Sequence, residues 1–254
     1  MNFLVLLRRM AKKTSSTASM MSATCGRKIT PMAQRISAAA KEAEAMSETL
    51  LLDRARRRLV YDGRLFDPVE RRWSETTELT GEPAGLREAV RWLQRDSGTP
   101  CRVPVGVIGP REATEAERLA AFALGAGLAA FGITLVCGGR GGVMEAACEG
   151  ASVAGGLSIG LLPDADWRAA NPFVTVPLAT GIGEARNVII ARAALALVAV
   201  GGGYGTLSEI AFALQFGRPV LTLLNPPPVI GAVPMASVDA ALDAVCRIVL
   251  ALRA

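Results

Sequence analysis

The stretch Ala-Leu-Val-Ala-Val-Gly-Gly-Gly-Tyr-Gly-Thr-Leu-Ser-Glu-Ile-Ala-Phe, residues 196–212, decides the fold of this chain. Its five apolar residues lead straight into a glycine-rich turn, and the residues after the turn have an amphipathic pattern. This order predicts a buried parallel strand, a tight loop and the first turns of a helix. Glycines let a ligand approach the backbone closely, and the free N–H groups at a helix start favour an anion. The stretch therefore predicts a site for a phosphate-bearing small molecule.

A second glycine-rich turn lies upstream at residues 138–142, between a predicted strand and a predicted helix. A single turn of this kind can serve only to pack a helix on a sheet. Two such turns in one sheet, one of them carrying Arg140, favour a ligand site, because open α/β sheets bind ligands at the carboxyl ends of their strands. The candidate binding residues are Gly109, Gly138, Gly139, Arg140, Gly141, Gly142, Met144, Asn187, Gly202, Gly203, Tyr204, Gly205 and Thr206.

Predicted strands and helices alternate from residue 103 onward. This alternation predicts an α/β fold with a doubly wound, Rossmann-like parallel sheet and helices on both faces. The segment 188–200 carries a single charge, Arg192, so we expect a second subunit to cover its outer side in a homodimer or homotetramer. The predicted strands are 103–108, 133–137, 157–162, 173–176, 196–200 and 219–224, and the predicted helices are 113–131, 142–154, 183–194, 205–216 and 236–252.

Residues 46–100 precede this predicted domain, which spans 101–254, and form a smaller accessory element. A β-hairpin is predicted around Asp62-Gly63, a dipeptide that favours a tight turn. A helix is predicted from Pro83 to about Gln94, because its apolar residues fall on one face. We therefore expect a small hairpin-and-helix extension on the N-terminal side of the Rossmann-like domain.

The net charge of +5 belongs to residues 1–45, which hold eight Lys or Arg residues against two Glu. The rest of the chain is close to neutral, so we expect no nucleic-acid partner for the folded part. The composition of residues 1–45 is typical of an organellar presequence, while a disordered arm or a true start at Met46 fits equally well. No uncharged apolar run reaches the roughly 20 residues of a membrane helix, so we expect no membrane association.

Two absences exclude whole classes of chemistry. The chain has no histidine, which excludes Ser-His-Asp triads, histidine zinc sites and imidazole acid–base catalysis. Its only lysines are Lys12, Lys13, Lys28 and Lys41, so the predicted domain lacks a Schiff-base lysine and a P-loop lysine. The five cysteines are scattered and form no C-x-x-C pair, so we expect no metal site, no disulfide framework and a reducing, cytoplasmic compartment.

Three motifs together carry a resemblance to a known family. Gly-Gly-Arg-Gly-Gly-Val-Met-Glu-Ala-Ala (138–147), Gly-Glu-Ala-Arg-Asn (183–187) and Gly-Gly-Gly-Tyr-Gly-Thr-Leu-Ser-Glu (201–209) resemble the Lonely guy/lysine-decarboxylase-like Rossmann superfamily. The most similar branch is that of the molybdenum-cofactor carrier proteins. The likeness covers about residues 102–252, and the first hundred residues lie outside it.

In the superfamily's phosphoribohydrolases, P-G-G-x-G-T-x-x-E supplies phosphate-binding amides and a catalytic glutamate, and M-H-x-R-K supplies an arginine. The resemblance places the glutamate at Glu209 and the arginine at Arg186. The departures from these motifs are Gly201 for proline, and Gly183, Glu184 and Asn187 for Met, His and Lys. These departures argue against hydrolase activity. The lack of a lysine to bind pyridoxal phosphate excludes a decarboxylase of that class.

Two main hypotheses for the function follow, beside a third in which the chain is an interaction scaffold whose basic residues 1–45 bind anionic partners. The first is carrier-like binding of a phosphorylated pterin, such as a molybdopterin-type cofactor, or of a nucleoside monophosphate, with no other cofactor required. The alternative is a phosphoribohydrolase that releases a free base and ribose 5-phosphate, with Glu209 holding the ribose or a water and Arg186 the phosphate. Structural roles stay open, because Glu209 can balance the helix dipole and Arg186 can pair with Glu184 or with a second subunit. Tyr204 can stack on a base or pterin, or pack on its own loop.

Overall fold

A computed structural model describes residues 49–252 of the chain. This range forms an antiparallel sheet and a seven-stranded parallel sheet with helices on both of its faces. The predicted α/β class and the Rossmann-like architecture are therefore confirmed. The expectations for residues 1–45 lie outside the described residues.

The N-terminal element contains five short strands and one helix: β1 (Leu50–Asp53), β2 (Arg58–Tyr61), β3 (Arg64–Asp67), β4 (Arg72–Glu75), β5 (Glu82–Ala84) and α1 (Leu86–Arg95). The strands pair antiparallel in the order β4-β3-β2-β1-β5. The predicted hairpin is confirmed, since β2 and β3 pair across Asp62-Gly63. The φ angles of these two residues, 48° and 68°, are both positive, as a tight two-residue turn requires.

The predicted start of the first helix at Pro83 is wrong. Pro83 lies in β5 opposite Leu51, and the helix begins at Leu86 after its N-cap residue Gly85. Because β5 is at the edge of its sheet, the missing N–H group of proline leaves no hydrogen bond unmade. Proline therefore continues a strand here instead of opening the helix.

The parallel sheet contains β6 (Val105–Ile108), β7 (Leu135–Cys137), β8 (Ser158–Leu162), β9 (Val176–Ala179), β10 (Leu197–Val200), β11 (Val220–Leu223) and β12 (Val233–Pro234). Their order is β12-β11-β10-β6-β7-β8-β9, and every neighbouring pair is parallel. The strand predicted at 173–176 begins only at Val176, because Asn171 Oδ1 accepts a hydrogen bond from the Phe173 N–H and holds a turn before it. The two-residue strand β12 has no counterpart among the predicted strands.

Within residues 49–252, the helices that cover the parallel sheet are α2 (Glu115–Ala130), α3 (Val143–Val153), α4 (Asn187–Ala193), α5 (Tyr204–Gln215) and α6 (Val238–Val249). α1, α2, α3 and α6 pack on one face, and α4 and α5 pack on the other. The helix predicted at 183–194 is α-helical only from Asn187, and Gly183–Arg186 before it form a 3₁₀ turn that the chain enters through Gly183 with a φ of 62°. None of the helices in the described range combines the length and apolar character that a membrane crossing requires.

The segment 188–200 is apolar largely because it contains β10, a central strand of the parallel sheet. Residues 194–200 are all buried, and β10 pairs with β6 on one side and β11 on the other. On the outer side of α4, Ile189 is exposed and the Arg192 guanidinium lies 4.0 Å from the centroid of the Phe216 ring. The second subunit expected on this side stays a prediction.

The accessory sheet closes the C-terminal end of α6. Trp73 Nε1 donates a hydrogen bond to Leu250 O at 2.6 Å, and the Arg71 guanidinium donates to the carbonyls of Ile248 and Val249. The last carbonyls of a helix have no partner within the helix, so these donors satisfy the carbonyls of Val249 and Leu250, which would otherwise stay unpaired. The carbonyl of Ile248 also accepts a hydrogen bond from the Ala251 N–H. One hydrophobic cluster also runs from the accessory sheet through α1 into the parallel sheet. The two sheets are thus packed against a common core.

Replacing Trp73 with phenylalanine keeps a ring beside Tyr61 and Phe66 but removes the donor to Leu250 O. We expect the free energy of unfolding to fall by about 1–2 kcal/mol, since a carbonyl at the helix end loses its partner. Urea unfolding followed by far-UV circular dichroism measures the change. Trp167→Phe is the matched control, because the Trp167 side chain is 61% exposed and should tolerate the change. Equal shifts in the two variants would contradict the proposed role of the Trp73 hydrogen bond.

Candidate functional site

The candidate site lies at the carboxyl edge of the parallel sheet, where the strand order reverses. The chain runs outward from β6 through β7 and β8 to β9, then returns to β10 on the other side of β6 and continues to β12. Such a reversal opens a crevice beyond the carboxyl ends of the two central strands. The glycine-rich turns follow β7 and β10, so they flank the turn after β6 at a spacing of two strands, about 10 Å.

Three turns pack against one another at this edge. The Val143 N–H donates to Pro110 O at 3.1 Å, which joins the turn after β6 to the first residue of α3. A Cβ added to Gly109 would lie 2.6 Å from Val200 O, the carbonyl at the end of β10. The two glycine-rich turns and the turn between them therefore form one continuous backbone surface.

The turn after β7 presents main-chain N–H groups that have no partner in the described residues. Asn171 binds the other side of this turn: its N–H donates to Gly139 O at 2.9 Å, and its Nδ2 donates to Arg140 O at 3.0 Å. A trans peptide points its C=O and the following N–H in opposite directions, so the N–H groups of Arg140 and Gly141 face away from Asn171. These two groups and the Gly142 N–H make no hydrogen bond within residues 49–252.

The turn after β10 is open in the same way. The N–H groups that donate to no described residue are those of Gly202, Gly203, Tyr204, Gly205 and Thr206. The N-cap residue of α5 is Gly203, which has no side chain to occupy these donors. By contrast, Thr114 caps α2 and Ser237 caps α6 with their own side chains. The two helix starts beside the crevice are thus free to bind an anion, which the helix dipole favours.

Gly201 stands where the family motif has proline, and the local backbone excludes proline there. The φ of Gly201 is 58°, whereas a proline ring fixes φ near −65°. A Cβ at this position would also lie 1.7 Å from Oε1 of Glu117. The replacement of the motif proline by Gly201 is therefore required by the backbone conformation of this turn.

Arg186 and Glu209 form a buried ion pair at the crevice. Arg186 Nη1 lies 3.1 Å from Glu209 Oε1, and the two side chains are only 4% and 8% exposed. Gly138 makes room for the guanidinium, since a Cβ there would lie 2.4 Å from Arg186 Nη2. The guanidinium thus connects the turn after β7 with helix α5. The structure brings together the two residues that the resemblance names as catalytic candidates.

Burial raises the pKa of Glu209 to about 7, because removal from water disfavours the charged carboxylate. The positive charge of Arg186 opposes this rise, and the negative charge of Glu184 adds to it. Glu184 itself pairs with Arg111 at 3.1 Å, so the alternative of a salt bridge between Arg186 and Glu184 is not what the structure contains. Arg186 Nε and Asn187 Oδ1 are buried and make no hydrogen bond to any described residue.

Arg140, the cation of the turn after β7, is paired with Asp164. Its Nη2 lies 2.6 Å from Asp164 Oδ1, and both side chains are partly exposed. Asp164 follows β8, and its carbonyl accepts a hydrogen bond from the Gly181 N–H at 2.9 Å. Each of the three arginines at the crevice is thus paired with a different carboxylate of the protein: Arg111 with Glu184, Arg140 with Asp164 and Arg186 with Glu209.

The remaining candidates have different surroundings. The Tyr204 side chain is 93% exposed, so its ring is not packed on its own loop and is free to contact a ligand. Met144 is buried beneath the turn after β7, and Thr206 is buried in the first turn of α5. Asn187 Nδ2 donates to Ser208 Oγ at 2.9 Å, which ties α4 to α5. The described residues contain no group of three or more Cys, Asp or Glu side chains placed to hold a metal ion.

Three residues at the crevice are not among the candidates from the sequence: Arg111, Asp164 and Asn171. Arg111 forms an ion pair with a residue 73 positions away, and Asp164 forms one with a residue 24 positions away. No local spacing in the sequence indicates these pairings. Asn171 precedes Pro172, and Asn-Pro indicates a turn. That signal predicts a bend but does not show that the bend supports the glycine-rich turn.

The ionisation of Glu209 makes the stability of the protein depend on pH. Its pKa is about 7 when folded against an ordinary value of 4.5, so between these values the folded state holds the extra proton. The free energy of unfolding should therefore fall by about 3 kcal/mol as pH rises from 4.5 to 7. Glu209→Gln has no ionisable group at this position and so lacks this part of the pH dependence. In urea unfolding across that interval, the stability of the wild type minus that of the variant should decrease with pH, and a constant difference would contradict the raised pKa.

Gly142 has φ 69° and ψ −127°, a conformation that residues with a Cβ avoid. An alanine Cβ there would also lie 2.2 Å from Arg111 O. We expect Gly142→Ala to lower the free energy of unfolding by about 2–4 kcal/mol, measured by urea unfolding. Gly205→Ala is the control, because no atom lies within 4 Å of its added Cβ and alanine favours helix. A Gly142→Ala variant as stable as the control would contradict the close packing of the turns.

Comparison with known proteins relates the parallel-sheet part of the chain to one family. The sequence profile of the SLOG cluster4 family matches residues 102–243, which is more than half of the chain. An uncharacterized protein from Archaeoglobus fulgidus is 47% identical over 126 residues, which cover 50% of this chain and 82% of that protein.

Two solved structures are similar in both sequence and fold. The molybdenum cofactor binding protein from the phototrophic bacterium Rippkaea orientalis is 34% identical with a TM-score of 0.55, over 58% of this chain and 98% of that one. The Moco carrier protein from Chlamydomonas reinhardtii is 37% identical with a TM-score of 0.55, over 59% of this chain and 100% of that one. The resemblance inferred from the three motifs is confirmed. The chain belongs to the SLOG cluster4 family.

Proposed function

We propose that this chain binds a phosphorylated small molecule at the carboxyl edge of its parallel sheet and holds it without cleaving it, as a carrier does. The ligand is a molybdopterin-type cofactor or a nucleoside monophosphate. In either ligand, the phosphate lies against the main-chain N–H groups of the two glycine-rich turns, at residues 138–142 and 201–205. Binding requires no other cofactor.

The observation that carries this proposal is the set of N–H groups at two helix starts that have no partner within residues 49–252. The first N–H groups of a helix have no partner within the helix, and no side chain caps these two helix starts, so a ligand can supply their acceptor. A phosphate group offers several acceptor oxygens together with negative charge. It therefore suits both the donors and the positive ends of the two helix dipoles.

The arginine–carboxylate pairs determine how an anion enters. A guanidinium binds carboxylate and phosphate with the same two-point geometry, so an incoming phosphate can replace Asp164 on Arg140. Binding then exchanges one anionic partner of Arg140 for another. The buried pair of Arg186 and Glu209 is less accessible to such an exchange and holds the two turns in register.

The structural relatives support the molybdopterin-type ligand, because two of them are named as a binding protein and a carrier protein of that cofactor. The flat pterin ring suits the exposed ring of Tyr204, which lies beside the open N–H groups. Tyr204 and the N–H groups beside it would hold the cofactor as cargo.

One observation favours a phosphoribohydrolase as the second candidate. A buried carboxyl group with a pKa of about 7, as at Glu209, can exchange a proton near neutral pH. Glu209 would then hold the ribose hydroxyls or position a water, and Arg186 would orient the phosphate while the N-glycosidic bond breaks. The replacement of the motif residues by Gly183, Glu184 and Asn187 argues against this reaction.

Titration calorimetry with AMP and with purified molybdopterin-type cofactor tests binding, and chromatography of the AMP mixtures detects released adenine. We expect binding of at least one ligand without release of adenine. Gly205→Asp adds a carboxylate among the open N–H groups, at a helix start that tolerates an acidic residue. This variant should bind with roughly tenfold lower affinity or worse, because like charges repel. Gly205→Ala is the control and should bind like the wild type.

Three outcomes would change this conclusion. Adenine release that disappears in Glu209→Ala or Arg186→Ala would replace the carrier with the hydrolase. Lack of binding of both ligands would contradict both functions. Equal affinities of Gly205→Asp and Gly205→Ala would place the ligand away from the turn after β10.

A further inference from the structure

A pair of buried thiols lies directly beneath the turn after β7. Cys137 is the last residue of β7 and Cys148 lies in α3, so the glycine-rich turn is part of the chain that connects them. Their Sγ atoms are 3.5 Å apart, and both side chains are fully buried. The other cysteines of the described range, Cys101 and Cys246, have no described sulfur within hydrogen-bonding distance.

Both sulfurs are tied to groups that shape the candidate site. The Gly139 N–H donates to Cys137 Sγ at 3.3 Å, so the first peptide of the turn rests on this sulfur. The Asn171 side chain lowers the pKa of Cys148, and Asn171 also holds the carbonyls of Gly139 and Arg140. Movement of Cys137 Sγ therefore disturbs the first peptide of the turn.

The environment makes the two thiols chemically unequal. Hydrogen bonds, first from Cys137 and then from Ser158 and Asn171, lower the pKa of Cys148, while donation to Cys148 and burial raise the pKa of Cys137. The thiolate is the reactive form of cysteine, so the thiol that ionises attacks the oxidant. Its neighbour, whose Sγ is 3.5 Å away, is placed to resolve the product. Asn171 is itself partly exposed, which places this pair near the surface at that point.

We infer that Cys137 and Cys148 form a reversible disulfide that distorts the turn after β7 and weakens ligand binding there. The sulfurs must approach by about 1.5 Å to form a bond. Cys137 Sγ then moves away from the position in which it accepts the hydrogen bond of the Gly139 N–H. The oxidant is a hydroperoxide. Two S–H bonds break and one S–S bond forms, while two electrons and two protons pass to hydrogen peroxide, whose O–O bond breaks to give two waters. A dithiol reverses the step. The effect on binding rests on the function proposed above.

Peptide mapping of the full chain tests the bond without any ligand. Trypsin cleaves after Arg140 and so separates residues 119–140 from residues 141–168, each with one cysteine. After hydrogen peroxide treatment, we expect these two peptides to be joined and to separate on addition of dithiothreitol. The joined pair should be absent in Cys148→Ser and retained in the control Cys246→Ser. If peroxide-treated wild type never yields the joined pair, the inference is overturned.

Calorimetry with AMP tests the effect on the site. The oxidised wild type should bind AMP roughly three- to tenfold more weakly than the reduced protein, since about one hydrogen bond is lost. Dithiothreitol should restore the affinity, and peroxide should leave the affinity of Cys148→Ser unchanged. A joined peptide pair with unaltered AMP affinity would overturn the effect on the turn. If the reduced protein does not bind AMP, the same comparison is made with the molybdopterin-type cofactor. Failure of the reduced protein to bind either ligand would contradict the proposed function and its regulation, whereas the mapping still decides whether the bond forms.

Discussion

The three turns at the carboxyl edge of the parallel sheet approach one another so closely that side chains are excluded from the backbone between them. A Cβ at Gly109, Gly138 or Gly142 would lie within 2.6 Å of a neighbouring atom. This approach brings the starts of α3 and α5 to one crevice, and the guanidinium of Arg186 fills the space beside Gly138. Because glycine also provides the N-cap residues of both helices, no side chain competes for their N–H groups. Close backbone packing and two uncapped helix starts are therefore two results of the same glycines.

Charge at the crevice is balanced by pairs, one of which is deeply buried. Removing Arg186 and Glu209 from water costs free energy that their attraction only partly offsets, and the raised pKa of Glu209 reflects that cost. A buried pair of this kind is weak evidence for stability of a fold. Its position between two open helix starts supports a role in arranging the ligand site. The pair of Arg140 and Asp164 is more exposed to solvent than the pair of Arg186 and Glu209.

The sequence predicted the central β-strand–turn–helix unit closely, because hydrophobic burial and glycine conformation are both local signals. The stretch 196–212 contains β10 and the start of α5 at the predicted places. Pro83 was assigned to a helix, since an amphipathic pattern does not reveal that the residue is at a sheet edge. The sequence also leaves the ion-pair partner of Arg186 undecided, because Glu209 lies 23 residues away while Glu184 lies only two residues before it. Pairings between distant segments depend on topology, which periodicity does not encode.

The attachment of the accessory sheet to α6 bears on how the chain assembles during translation. The ribosome makes residues 50–84 long before residues 238–249, yet the donors of Arg71 and Trp73 find their acceptors only at the end of α6. The early sheet therefore emerges with part of its apolar surface exposed and with the donors of Arg71 and Trp73 lacking their native acceptors. Its packing is completed only after α6 has left the exit tunnel. A nascent chain that stalls before residue 238 consequently lacks the acceptors at the end of α6 and leaves part of the apolar surface of its first sheet exposed to aggregation.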